Sequence, residues 1–281
     1  MGEARIVKSL APAAPHDGSS KGLVAIGRFV QQVLAIADGE LRKLLRDPTE
    51  VLTRSLQPIL WLLVFGQVFS RVRAIPTGAM PYLDFVAPGV LAQSVLFTAI
   101  FYGIAIIWER DLGIVHKMLA SPAYRSALVL GKAVSAGVRG LSQTVIIYAV
   151  TFLLGIHLRL EVLPVLGVVF CVLLGSAVFS TFSLIIACVV KTRERFMGIG
   201  QVLTMPLFFA SNAIYPIGMM PGWLRVIAHG NPLTYLVDAL RALMVQGGHS
   251  AFGLGLDVGV ELAVLIVLVM LAARLYPSVV R

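Results

Sequence analysis

From 85 to 107, and again from 162 to 190, the sequence carries no charged side chain. No other feature restricts the fold so tightly. At about 1.5 Å per residue each run, coiled as a helix, crosses a bilayer core of ~30 Å. Lipid also requires every backbone N–H and C=O to be satisfied within the protein, which leaves helices or closed barrels, and runs this long and unalternating are helical. Across the 281 residues 58% are hydrophobic and 13% charged, where a soluble domain has roughly a quarter charged. The expectation is an all-α polytopic membrane protein.

Further apolar stretches give six spans at about 51–70, 85–107, 127–158, 162–190, 198–219 and 256–276. Asp47-Pro48-Thr49-Glu50 reads as the start of the first, with a cap, a first-turn proline and a glutamate three residues after the cap. Arg54 near its start can snorkel to the headgroups. Arg139 lies inside the third, so its side chain is expected to face protein or water. Pro206 and Pro216 allow the fifth to kink. The basic residues explain the net charge of +9: they gather before 47, between 110 and 132, between 191 and 195 and at Arg281, against only Arg71, Arg73, Arg159, Arg225 and Arg241 on the other side. That bias places both termini in the cytoplasm, a parity that six spans satisfy, and gives the positive charge a membrane explanation rather than a nucleic-acid one.

Three stretches fall outside the spans. Residues 1–22 are rich in Ala, Pro, Gly and Ser without periodicity and read as a disordered cytoplasmic tail; they hold no short apolar core followed by small residues, so no cleavable signal is expected there. Residues 23–47 alternate an apolar stripe with a basic face that includes Arg28, Arg42, Lys43 and Arg46, the pattern of an amphipathic helix lying in the membrane interface. Between spans two and three, 108–132 forms a charged island. Its first part, about 109–121, is expected to be a short amphipathic cytoplasmic helix headed by Glu109, Arg110 and Asp111 and closed by Pro122. The stretch 221–246, too apolar for a loop and too polar for a span, is expected as two short helices re-entering the outer leaflet, broken at Asn231-Pro232.

Catalytic chemistry finds no support. The histidines form no HxxxH or HExxH pair, and Cys171 and Cys188 lie roughly 25 Å apart along one helix, so neither a metal site nor a disulfide between them is expected. Gly131-Lys132 is followed by Ala133 where a phosphate-binding loop needs Ser or Thr, and Ser126 stands where its first Gly belongs. ATP hydrolysis would belong to another polypeptide.

Pro232-Leu233-Thr234-Tyr235, followed after five residues by Arg241, resembles the C-terminal signature of the type-2 ABC transporter permeases. PGWLRVIAHGNPLTYLVDALRALM is similar to the drug-resistance (daunorubicin-type) and nodulation-factor branches, and YLDFVAPGVLAQSVLF and the charged island resemble the family's second span and the segment after it. The resemblance implies an exporter subunit, usually a homodimer or paired with a sister permease, over cytoplasmic ATPase subunits that hold ATP and Mg. This chain would bind no cofactor itself. By position, Glu109, Arg110, Asp111, Gly113, Lys117, Leu119 and Pro122 would dock the ATPase as a coupling helix. The amphipathic 23–47 helix would also touch the ATPase. Asn231, Pro232, Tyr235 and Arg241 would lie near the outer gate. The cargo would be a drug, lipid or lipid-linked molecule, and Gln67, Gln93, Phe97, Tyr102 and Gln143, polar or aromatic within spans, are the candidates for its path.

Two other functions compete. A polysaccharide or teichoic-acid exporter would line its channel with aromatic residues, and 9% aromatic content does not stand out. An ion-coupled secondary transporter needs carboxylates at mid-membrane. Asp84, Glu109, Asp257 and Glu261 are all expected at span ends.

Overall fold

A computed structural model of the chain describes residues 31, 38, 42, 46, 48–72, 75–78, 80–112, 125–190 and 192–275. Gln31, Asp38, Arg42 and Arg46 are helical and exposed, with the Arg42 Nε donating to Asp38 at 2.8 Å one turn away. The first long helix, α1, joins Pro48–Leu60, a π-helical turn Trp61–Gly66 and Gln67–Val72. Pro58 sits inside it. With no N–H at Pro58, the Arg54 carbonyl loses its helical partner, and the turn that follows is the wider π form. That turn seats Trp61 against Phe65 and against Phe208, with ring centroids 4.3 and 5.8 Å away.

The remaining helices are α2 (Tyr82–Asp111), α3 (Arg125–Leu153), α4 (Val162–Val189), α5 (Arg193–Phe209), α6 (Gly222–Gly230), α7 (Pro232–Met244) and α8 (Leu254–Leu275), with a 3-10 turn at Ile217–Met219. Among the described residues α1, α2, α3, α4 and α8 are each long and apolar enough to cross a membrane. The protein is a multi-pass membrane protein. Its centre is α2 against α4, around which α3, α7 and α8 pack. Of its apolar window α2 buries 89%, while α1 buries 22% and α8 17%. Between apolar lipid and an apolar core the hydrophobic effect discriminates little, so helix contacts rely on close packing and polar satisfaction. Small polar residues accordingly line the α2–α4 seam: Ser183 donates to the Ile100 carbonyl, and Gly103 opposite leaves no room for a Cβ between Ser183 and Phe196.

Several boundaries differ from the sequence reading. The third helix ends at Leu153 rather than near 158. There Gly155, at φ 73°, donates to Phe152 and Ile156 donates to Thr151, a C-terminal cap that turns the chain away. Residues 157–159 then pair with the segment after α7 through the bridge between Leu158 and Val245, and His157 contacts Asp84 at 2.9 Å. Glu109–Asp111, expected to open a separate helix, form the last turn of α2, because nothing before Gly113 interrupts it. The expected fifth span, 198–219, is α5 of 17 residues followed by irregular backbone from Ala210. Glu261, placed by sequence at a span end, is buried two turns into α8, and neither carboxylate oxygen has a hydrogen-bond partner among the described residues. The two short helices separated at Asn231-Pro232 match the expectation.

Candidate functional site

Beside Pro58 a cavity of about 170 Å³ lies between α1 and α2. Residues 53, 54 and 57 face it from α1, and 93, 94, 97, 98 and 101 face it from α2. Of the five expected path residues, Gln93 and Phe97 line this cavity. Gln93 is buried, and its Oε1 meets no hydrogen-bond donor among the described residues. Phe97 and Phe101 form an aromatic pair 6.1 Å apart. Gln143 lies behind α1, accepting from the Ser55 hydroxyl at 2.9 Å. Tyr102 lies under Arg139, whose guanidinium is 5.2 Å from the ring centre. Gln67, beyond the π turn, is not in the wall. Thr53, Arg54 and Gln57 of α1 and Thr98 of α2 also line the cavity and were not singled out from the sequence, although Gln57 stands three and four residues after Arg54 and Thr53, the spacing of one helical face.

At the Asp111 end of the molecule, α2 and α5 are joined. The Arg193 guanidinium donates to Asp111 Oδ2 at 2.8 Å and lies 3.6 Å over the Trp108 ring. Thr192 caps α5 by accepting from the Arg195 N–H.

The opposite end of α5 is held by the signature residues. Asn231 Nδ2 donates to the carbonyls of Leu207 and Ala210, at 2.7 and 2.9 Å, which the end of α5 leaves without helical partners, while its Oδ1 caps α7 by accepting from Leu233 N–H. Pro232 occupies the first turn of α7, where a missing N–H costs nothing. Tyr235 donates to the His229 carbonyl at the end of α6. Arg241 is buried. It donates to the carbonyls of Asn212 at 2.7 Å and Phe85 at 3.4 Å, and its guanidinium stacks on the Phe85 ring, 3.9 Å from the centre. Burial lowers its pKa to about 10, with Asp238 at 3.7 Å acting in the opposite direction, so it stays charged at neutral pH. Asp238 also accepts from the N–H groups of Ala251 and Phe252. Arg241, Asp238, Asn212, Phe85 and Ala251 line a second cavity of about 500 Å³, in whose wall Asn231, Pro232 and Tyr235 do not stand.

Residues 31–245 match the family model described as ABC-2 type transporter. The chain belongs to the ABC-2 type transporter family. The permease is 27% identical over 262 residues to the ycf38 protein of Cyanophora paradoxa, covering 90% of each chain. It is 27% identical over 233 residues to the daunorubicin resistance ABC transporter permease protein DrrB1 of Streptomyces coeruleorubidus, covering 82% of this chain and 80% of that one. Nodulation protein J of Rhizobium leguminosarum bv. trifolii is 25% identical over 195 residues, covering 69% of this chain and 72% of its own.

Of the docking residues expected in the permease, Asp111 is exposed beside Arg193, and Glu109 and Arg110 share its helical turn. Gly113, Lys117, Leu119 and Pro122 lie outside the described residues, as do Arg28 and Lys43. No group of three or more His, Cys, Asp or Glu side chains among the described residues could hold a metal ion.

Proposed function

We propose that the chain is the membrane subunit of an ATP-driven exporter, moving an amphipathic molecule out of the cytoplasm or inner leaflet, with ATP bound and hydrolysed on a separate nucleotide-binding subunit beneath it. The observation that carries this reading is the continuity of α2. One helix runs from Tyr82, beside the larger cavity, past the polar cavity at Gln93 to the charged turn at Glu109–Asp111. A push received at that turn reaches the cavity wall without passing through a flexible joint. ATP-driven approach of two ATPase subunits would move the two islands of a permease pair and rearrange the helices around the seam between the copies.

The orientation follows from charge. Basic residues near 110–132 and 191–195 put the Asp111 end in the cytoplasm and the signature end outside. Five crossings would leave the termini on opposite sides, so α5 is read as the sixth. Its 17 residues reach about 26 Å, and the irregular segment continues the crossing. Ser211, Asn212, Ala213 and Ile214 are buried by protein there, the condition under which non-helical backbone is tolerated at membrane depth. Helices α6 and α7 then form the outer re-entrant pair, with Trp223, exposed on α6, as an interfacial anchor.

The experiment is purification of the tagged chain from its native cell in mild detergent, with identification of co-purifying subunits and an ATPase assay. A stoichiometric P-loop subunit with vanadate-sensitive activity is the expected result. Recovery of the chain alone from several detergents would refute the reading and favour an ion-coupled carrier, for which the buried Asp257 and Glu261 of α8 would be the working groups.

A further inference from the structure

Helix α8 buries only 17% of its apolar window, yet the face it does bury holds two acids. Asp257 and Glu261, four residues apart, share that face and are 0% and 2% exposed. Neither Glu261 oxygen has a hydrogen-bond partner among the described residues, and neither does Asp257 Oδ1. The helices packed on α8 are α4, α7 and α3. Helix α4 carries no charged side chain and brings Cys171 near both acids. From 140 to 153, α3 has Tyr148 as its one titratable residue. Helix α7 brings Tyr235, Asp238 and Arg241, and Arg241 is already turned to Asp238. His249, before α8, is exposed. Two carboxylates on α8 would therefore be buried like charges one turn apart with no counter-ion of their own, a costly arrangement.

Ser250 decides where one proton sits. Its Oγ lies 3.0 Å from Asp238 Oδ2 and 2.7 Å from Asp257 Oδ2, and it accepts from the Gly253 N–H at 2.6 Å. A hydroxyl has one hydrogen, so it donates to one of these carboxyls and the other must donate to it. Asp238 Oδ2 also accepts from the N–H groups of Ala251 and Phe252, with Arg241 beside it, the surroundings of a carboxylate. Asp257 is therefore the acid that donates. The first turn of α8 favours negative charge at Asp257, an effect small beside the cost of burying that charge unpaired. We propose that α8 carries a proton-binding site: Asp257 and Glu261 are held as carboxylic acids, and the proton of Asp257 exchanges with the larger cavity through Ser250 and Asp238. Asp257 Oδ2 gives its proton to Ser250 Oγ as the Ser250 hydroxyl passes its own to Asp238 Oδ2. The negative charge moves from Asp238 to Asp257, and Asp238, in the wall of the cavity of about 500 Å³, exchanges the proton with water there. That transfer takes the counter-charge from Arg241 of the signature. The site goes beyond the exporter reading, from which it takes only the outward side of that cavity.

The test is infrared spectroscopy of the full chain in dodecyl maltoside, which has no carbonyl to mask the C=O stretch of a neutral carboxylic acid. At neutral pH the wild type is expected to show a neutral-acid band that Asp257→Asn removes and another that Glu261→Gln removes. The Glu261 band should lie at the higher frequency, because nothing hydrogen-bonds to that carboxyl. In heavy water the Asp257 band shifts down as its proton exchanges. Ser250→Ala should slow that shift about tenfold, the factor that one hydrogen bond is worth, and Ser250→Thr, which keeps the hydroxyl, should restore it. A wild-type spectrum without any neutral-acid band overturns the site with no variant needed. Loss of a carboxylate band in place of a neutral one, in either acid's variant, overturns the assignment for that residue, and an exchange rate unchanged in Ser250→Ala overturns the path. The assay contains no ATPase and reads no export. A co-purified ATPase beside a chain without these bands would therefore sink the proton site alone, and the bands in a chain with no ATPase partner would sink the exporter alone.

Discussion

Asn231 shows how much a single side chain can hold. It accepts one backbone N–H and donates to two carbonyls at the end of α5, Leu207 in its last turn and Ala210 just past it. Asn231→Ala leaves buried polar groups without partners at roughly 1–3 kcal/mol each, so a stability loss of about 2–4 kcal/mol is expected, read as a lower thermal midpoint in detergent. Asn231→Asp keeps the cap but not the donors, and should rescue little; wild-type stability in that variant would show that the end of α5 does not depend on this side chain. Arg241→Lys tests the neighbouring contact. An ammonium cannot stack flat on Phe85 while reaching the carbonyls of both Asn212 and Phe85, so a loss of about 2 kcal/mol is expected despite the retained charge. The signature was legible as a string of residues, and the resemblance gave it a gating place. The contacts that explain its residue types tie α7 to α6, to the end of α5 with the segment after it, and to α2 at Phe85, and these needed the fold.

For the elements, the ends of α5 matter most. Its irregular continuation rests on α2 at Gly89, where a Cβ would overlap the Ala213 backbone. Gly89→Ala gains up to about 1 kcal/mol of helix propensity but forces a clash worth about 1–3 kcal/mol. The clash should win, giving a lower midpoint and faster proteolysis near 210–219. A stabilised variant would mean that the segment does not sit there. At the other end Arg193 joins α5 to α2 through a half-exposed ion pair and a cation–π contact, together worth only about 1 kcal/mol. Arg193→Ala should therefore leave folding nearly intact while lowering export per ATP hydrolysed severalfold in the assembled transporter. An unchanged ratio would show that this link transmits nothing. Hydropathy alone overextended this helix to 219, because Pro206 and the apolar residues after it suit a kinked span as well as a broken one.

On the scale of the whole molecule, the six-crossing topology and the docking island make separate predictions. With both termini inside, His249→Cys in intact cells should react with an impermeant maleimide, and Thr192→Cys only after permeabilisation; the reverse pattern would invert the orientation. Both native positions are exposed at opposite ends of the fold. Glu109→Lys in the last turn of α2 should abolish coupling between ATP hydrolysis and export while the chain still inserts, and unchanged export would remove Glu109 from the docking surface. The multi-pass membrane class was legible beforehand, since long uncharged runs are read without knowing any contact.

By itself, then, the sequence determined the membrane class and the break at Asn231-Pro232, and it carried the family resemblance and an expected side for each loop. Each of these answers a local demand: lipid selects apolar stretches, the cytoplasmic face selects lysine and arginine, and proline interrupts a helix wherever it stands. The tertiary structure alone decided that Glu261 lies buried against α4, that α5 stops at Phe209, that Arg193 covers Trp108, and that Arg54 meets Gln93 across a cavity. These are matters of partnership between residues far apart in the chain. A buried polar atom is stabilised or stranded according to what another helix brings to it, and composition does not reveal that partner.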